Sequence, residues 1–304
     1  MYILEESRTW YKGNLHMHTT MSDGVLSPEE AVNLYRKAGY DFVAITDHRS
    51  MNPEWSDGSF LVMTGAEYDT GDPIGRTPVY HILGIGMRSE PRIRYGERRG
   101  FRSDSWPDPQ ELIDAIHETG GEAILAHPAW SVMTPEEMMR LHGFLGAEIF
   151  NSVSDYPYYP GRADASYYFD IWSKNGRLVQ CVAGDDSHTY TGEDRRSFIY
   201  VAARSLTTEG ILHAMREGNF YASQGPRFRS IEFEQGRVHV RCSDDVRRVS
   251  FFTNTPWGAG AVQEIRDGRA SYRVNSSDTF VRVELMDAEG RRAWSSPFEA
   301  GKFR

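Results

Sequence analysis

Cysteine is scarce in this chain of 304 residues: there are two, Cys181 and Cys242, far apart. That excludes a disulfide framework and a cysteine-type zinc knuckle, and it makes a reduced, cytoplasmic setting the expectation. No apolar run approaches the ~18 residues a membrane span needs, so no membrane association is expected. Residues 1–13 lack the apolar core of a secretory signal, which argues against export. Positive charge is in deficit, with 34 Lys+Arg against 43 Asp+Glu and a net charge of −9. That balance disfavours a general binder of long nucleic acid. Internal repeats and low-complexity tracts are absent too, so a repeat array is excluded. What is present is 39% hydrophobic and 12% aromatic residues, enough to bury one large core or two smaller ones.

From about residue 13 to 225, short apolar runs alternate with helical patterns, which reads as α/β with a largely parallel sheet. Three helix starts are marked by local chemistry. Ser27-Pro28-Glu29-Glu30 and Thr134-Pro135-Glu136-Glu137 each offer a hydroxyl N-cap, a proline at the first helical position and a capping-box glutamate. Asp108-Pro109-Gln110-Glu111 does the same with aspartate as the cap. Gly120, Gly146, Gly176 and Gly218 follow helical runs, where a left-handed residue closes the last turn. Strands are expected at 41–46, 60–64, 80–84, 122–126, 147–150, 178–183 and near 199–203. After Pro226 the texture changes to β-type segments at 231–233, 238–242, 249–253, 270–274 and 281–285, separated by turn residues with no helix between them. Residues 227–304 carry 14 Lys+Arg against 11 Asp+Glu, whereas the preceding part carries 20 against 32. The division is therefore 1–226, an α/β body, and 227–304, a small all-β sandwich-like accessory domain.

Histidine placement is the informative feature. Of ten histidines, six fall in or just after expected strands of the α/β body: His16, His18, His48, His81, His127 and His188. Acidic residues accompany them, namely Asp23, Asp47, Glu67 and the Asp185-Asp186 pair. Each motif alone has an ordinary explanation. A His-x-His can be incidental, Thr46-Asp47-His48 a capped strand end, His127 a satisfied core histidine, Glu67 an exposed loop acid, and Asp186-Ser187-His188 a turn. Independent core histidines, however, have no reason to fall repeatedly at the strand exits of one alternating pattern. In parallel α/β barrels those exits share one rim, and imidazoles with carboxylates gathered there suit divalent zinc, manganese or iron.

Asn14-Leu15-His16-Met17-His18 with Ser22-Asp23-Gly24, followed by Ile45-Thr46-Asp47-His48, resembles the opening of the PHP (polymerase and histidinol phosphatase) superfamily. Gly65-Ala66-Glu67, His81-Ile82-Leu83-Gly84, Leu125-Ala126-His127-Pro128 and Gly184-Asp185-Asp186-Ser187-His188 resemble its later motifs, in order, over roughly residues 11–226. The stretch Phe220-Tyr221-Ala222-Ser223-Gln224-Gly225-Pro226 resembles the branch that includes carbamate (carbaryl) hydrolases. The superfamily resemblance implies a distorted seven-stranded (β/α) barrel with two or three divalent metal ions. Carried over residue by residue, it implies one ion on His16, His18, Glu67 and Asp186, a second on Glu67, His81 and His127, and a third on Asp23, His48 and His188. Asp23 stands where some relatives have histidine. Asp185 competes with Asp186 for the carboxylate role, and the Asp-x-His spacing favours Asp186, since residues two apart on an extended segment face the same way.

Such a centre implies hydrolysis of a small phosphate monoester or diester by a metal-bridging hydroxide, with Glu67, Asp186 and His188 central to catalysis. The alternatives are a carbamate or carboxylic ester hydrolase using the same metals, and a non-catalytic metal-stabilised binding protein. Asp47 either orients an imidazole or caps its loop. Arg49, Asn151 and Arg162 are candidate substrate contacts, and Tyr156, Tyr158 and Tyr159 either wall the pocket or cover surface. Between Arg88 and Arg102, six arginines face only two glutamates. That segment reads either as a solvated loop or as a lid whose Arg98 and Arg99 meet substrate phosphate.

Overall fold

The computed structural model describes residues 2–5, 8–71, 78–96, 98–99, 102–103, 105–155 and 161–303. The helices start where local chemistry dictates. Helices Pro28–Lys37, Pro109–Glu118 and Pro135–Met139 each carry the complete capping box on Ser27, Asp108 and Thr134, with proline in the first turn. Helices Ser166–Lys174 and Thr208–Arg216 complete the set. Gly120, Gly176 and Gly218 adopt positive φ after their helices, as expected. Gly146 does not. It opens the strand Gly146–Asn151, where a Cβ would meet the carbonyl oxygen of Gln180 at 2.8 Å, so close strand approach is what requires glycine there.

The fold is mixed α/β with much sheet. A five-stranded sheet has the order Gln180–Gly184, Gly146–Asn151, Glu122–Leu125, Tyr80–Ile85, Gly65–Thr70. The first three strands run parallel, but Tyr80–Ile85 is antiparallel to both of its neighbours. The expectation of a largely parallel sheet is corrected here. The chain between Thr70 and Tyr80 is shorter than the roughly twelve residues a parallel crossover needs, so the strands must return as a hairpin. Strand Gly65–Thr70 adds to the expected set, and it buries Glu67, which is therefore not an exposed loop acid.

In the long second sheet, Phe42–Ala44 runs parallel to both Trp10–Asn14 and Leu61–Met63. Strands Phe198–Ala202 and Phe220–Ser223 add antiparallel on the other side. Isolated parallel bridges, Met17 with Ser187 and His48 with Glu67, tie the two sheets together at their strand exits. The apolar runs of these strands are buried almost continuously, as strands covered on both faces should be.

Each expected late β segment coincides with a strand, with 249–253 and 270–274 running one residue past the strand end, and Val262–Glu264, Arg292–Trp294 and Phe298–Glu299 add to them. Arg292–Trp294 pairs with Phe220–Ser223, so the C-terminal strands continue the long sheet of the α/β body. The N-terminal strand Tyr2–Leu4 pairs in turn with Phe228–Glu234. Trp294 is fully buried in the same core as Ile149, Phe169 and Trp172. Arg282, also fully buried, grips Asp170 of helix Ser166–Lys174 through Nε at 2.8 Å and Nη2 at 3.0 Å. Both cysteines are free and buried. No described helix is long and apolar enough to cross a membrane.

Candidate metal centre

The strand exits of both sheets converge on Glu67. Backbone pairing sets the geometry: Asp186 N donates to the His16 carbonyl and His18 N to the Ser187 carbonyl, each at 2.8 Å. Two-residue alternation then points His16 and His18 to one side, and their ring centroids lie 5.3 Å apart. Glu67 Oε1 is 2.8 Å from His81 Nδ1 and 3.2 Å from His127 Nε2. Its Oε2 is 3.2 Å from both His18 Nε2 and His48 Nδ1. Asp186 Oδ1 approaches His18 Nε2 at 3.0 Å and His16 Nε2 at 3.2 Å. Asp23, with 55% of its side chain exposed, lies 3.5 Å from His188 Nε2 and 3.6 Å from His48 Nε2.

Among the described residues, three groups bring their ligand-type atoms within 4.8 Å of one another: His16, His18, Glu67 and Asp186; His48, Glu67 and His81; and His18, Asp23, His48 and His188. The first coincides with the set expected for one ion. In the second, His48 stands in the group where His127 was expected, although His127 also touches Glu67. In the third, His18 joins Asp23, His48 and His188.

The donor set suits divalent cations. His16 Nε2, His18 Nε2, His48 Nδ1 and Asp186 Oδ1 are buried and have no hydrogen-bond partner, although each lies within 3.2 Å of an opposing ligand atom. Buried polar atoms are ordinarily paired; four orphans gathered around the Glu67 carboxylate, three of them on residues of one of these groups, are what cation sites leave behind. Asp186 and His127 also adopt positive φ, 54° and 27°, which turns the chain sharply at these two positions.

The electrostatics agree. Burial penalises the Glu67 carboxylate, but His81, His16 and His48 outweigh it and hold Glu67 well below the usual range. Asp186 is lowered in the same way, against its own burial, by His16, His18 and His188. Burial also opposes charge on His16, His18 and His81, yet the facing carboxylates raise all three. His188 is pushed up to about 9, chiefly by Asp23 and Asp186 against burial. For His48 burial wins and the value falls.

No protein-family model matches the chain. A two-domain protein of Bacteroides vulgatus, described as containing a predicted PHP-like metal-dependent phosphoesterase, superposes with a TM-score of 0.54 at 15% identity, covering 92% of this chain and 91% of that one. The fold is PHP-like. Two sequence matches are partial. A DNA polymerase/3′-5′ exonuclease of Bacillus subtilis is 54% identical over 37 residues, which is 12% of this chain and only 6% of that protein. An uncharacterized protein of Methanocaldococcus jannaschii is 28% identical over 128 residues, 38% of this chain and 67% of that protein.

Around this cluster, the remaining candidates separate by what they touch. Asp47 resolves as a loop cap: it accepts from Thr19 N, Thr19 Oγ1 and Ser22 Oγ at 2.7 Å, and from Asn52 Nδ2 at 2.9 Å. Asp185 is turned away from the cluster and accepts from Tyr35 Oη, Ser152 Oγ and the backbone N–H groups of Arg195, Arg196 and Ser197. Asn151 is buried, donates to Glu148 and Asp186, and accepts from Ser154, so its amide faces two carboxylates instead of solvent. Arg49 is held in a bidentate pair with Asp69 at 2.7 Å and lies over the Tyr95 ring. Arg162 is exposed and reaches the Trp130 carbonyl at 3.4 Å. The backbone of Arg98–Arg99 pairs with Arg102–Ser103 in a short hairpin, so the arginine-rich segment is not wholly loop. The side chains of Arg98 and Arg99, and the residues Tyr156, Tyr158 and Tyr159, lie outside the described residues.

Three contributors to the site escaped sequence reasoning. Glu148 accepts from His16 Nδ1. Trp130 packs edge-on against His127 and His81, with centroids 4.9 and 5.8 Å away. Glu193 gathers the N–H groups of His188, Thr189 and Tyr190 on one oxygen and so shapes the His188 loop. Glu148 carried a legible signal, a lone acid in the apolar run Ala147–Phe150.

Proposed function

We propose that this chain is a metal-dependent hydrolase whose preferred substrate is a small phosphate monoester or diester. The observation that carries the reading is the set of four buried, unpartnered atoms on His16, His18, His48 and Asp186 around Glu67. His16, His18, Glu67 and Asp186 would hold one divalent ion, Glu67 with His81, His127 and His48 a second, and Asp23, His48 and His188 a third, with zinc, manganese or iron as the fitting ions. Bound there, the ions would supply Lewis acidity, lowering the pKa of water and polarising the ester.

The chain's own residues divide the remaining work. His16, His18 and Glu67 are shut off from solvent, whereas Asp23, His48 and His188 are partly exposed, so substrate approaches from that side. Arg162, Arg98 and Arg99 would add positive charge for an anionic substrate. In this reading residues 1–226 form the catalytic unit, a distorted barrel of seven strands, and residues 227–304 are accessory. The test is elemental analysis of the purified protein together with turnover of p-nitrophenyl phosphate, bis(p-nitrophenyl) phosphate and a neutral aryl carbamate, with and without chelator. Two or three ions per chain and chelator-sensitive phosphate release are expected. Less than one ion in fully active protein would sink the metal reading, and turnover of the carbamate alone would replace phosphate with carbamate as the substrate class.

A further inference from the structure

We infer that Glu148 is a positioning residue that fixes which nitrogen of His16 faces the metal cluster; this rests on the function proposed above. Glu148 is buried in the middle of strand Gly146–Asn151. Its Oε2 receives two hydrogen bonds at 2.8 Å, from His127 N and from Asn151 Nδ2. Both are obligate donors. A backbone N–H cannot reverse, and the Asn151 amide is locked because its Oδ1 accepts from Ser154 N at 3.2 Å and Ser154 Oγ at 2.8 Å. Its Oε1 lies 2.9 Å from His16 Nδ1. With the carboxylate held as an acceptor, His16 carries its proton on Nδ1.

The consequence falls on the opposite ring nitrogen. His16 Nε2 faces Asp186 Oδ1, 3.2 Å away, and Glu67 Oε1, 3.4 Å away, and it is this nitrogen that would offer its lone pair once a cation displaces the proton those carboxylates favour. It is one of the four unpartnered atoms. An imidazole that donates one N–H to a carboxylate is fixed in orientation and is a better ligand through the other nitrogen. The same carboxylate also holds the backbone of His127 and the Asn151 amide, and Asn151 Nδ2 extends to Asp186 Oδ2 at 3.3 Å. One buried acid thus aligns side chains or backbone from three strand exits.

Glutamine cannot copy this arrangement. It offers one acceptor and one NH2 group, so one end must present a donor to a donor, at either His16 or the His127–Asn151 side. The experiment is a zinc titration of the metal-free full-length protein by chelator competition, together with 15N spectra of the histidine side chains in the zinc-loaded unaltered protein. Glu148→Gln is expected to bind zinc about 10- to 100-fold more weakly, the range seen when such outer partners are lost. Glu148→Asp, which keeps the charge, is expected to recover part of that loss. The unaltered protein should show His16 metallated at Nε2 and protonated at Nδ1. Unchanged zinc affinity in a folded Glu148→Gln variant, or zinc on Nδ1 of His16, overturns the inference. If Glu148→Gln fails to fold, Glu148→Asp and the spectra of the unaltered protein decide. If the unaltered protein binds no zinc, manganese or iron, the proposed function falls and takes this inference with it.

Discussion

Trp294 stacks on Phe150 with ring centroids 5.6 Å apart and planes 24° apart. Phe150 immediately precedes Asn151 and lies two residues beyond Glu148, so the C-terminal β strands press on the strand that orients the metal centre. Removing that ring should therefore reach the site. Trp294→Ala is expected to cost about 3–5 kcal/mol of stability, as large-to-small changes in a packed core do, and to weaken zinc binding measurably. Trp294→Phe should keep most of both. Urea denaturation and chelator competition on the two variants check this; a Trp294→Ala protein with wild-type stability would show the stacking to be dispensable.

The ion pair between fully buried Arg282 and partly exposed Asp170 ties the same regions together at a second point. Arg282→Met should be destabilising, by less than the ~3–5 kcal/mol of a fully buried pair, because it leaves the half-buried Asp170 carboxylate without its cation. Adding Asp170→Leu should restore much of that stability, since a well-packed apolar pair replaces a desolvated ionic one. A double-mutant cycle followed by thermal unfolding measures the coupling, and additive losses would mean that the pair contributes nothing specific.

Glu67 is the carboxylate on which the histidines converge. Glu67→Gln is expected to reduce turnover by ~10²-fold or more, the scale of removing charge stabilisation from a transition state, and to lower the metal content. Normal turnover in this variant would show that Glu67 does not link two ions.

The raised histidines set a pH dependence of opposite sign in metal-free and loaded protein. His16, His18, His81 and His188 have folded-state values above their unfolded ones, with His188 at about 9. Their stabilisation of the metal-free protein is thus fully present below about pH 6.5 and fades as pH rises through the folded values. His48 shifts the other way and offsets part of this. A metal must displace those protons, so zinc affinity should rise with pH over the same window. Thermal melts and zinc titrations at pH 6, 7.5 and 9 test both arms; metal-free stability that rises with pH across that range would contradict the carboxylate–histidine pairing.

Arg98→Gln combined with Arg99→Gln should raise KM for anionic phosphate esters and leave a neutral carbamate unaffected, with the difference shrinking as salt screens exposed charge. Equal kinetics on the phosphate ester before and after the double change would remove both arginines from the site.

Local chemistry made part of this protein legible from its sequence alone. The caps at Ser27, Asp108 and Thr134 act within one turn, so four consecutive residues suffice to read them. The His16–His18 pair is also local, because extended-chain alternation places residues two apart on one side, whereas Asp186, at φ 54°, meets the cluster through a turn. The acid count and the few cysteines likewise needed no fold. What only tertiary structure decided depends on partners far along the chain. The antiparallel pairing of Tyr80–Ile85 with the distant strand Glu122–Leu125 is tertiary, and Glu67 is a central buried acid because its strand pairs with Tyr80–Ile85. The choice between Asp185 and Asp186 became visible only when Tyr35 and the Arg195–Ser197 backbone were seen to occupy Asp185. Glu148 and His16 are 132 positions apart; a hydrogen bond of that reach leaves no periodic trace in the sequence, because only the folded chain brings its two ends together.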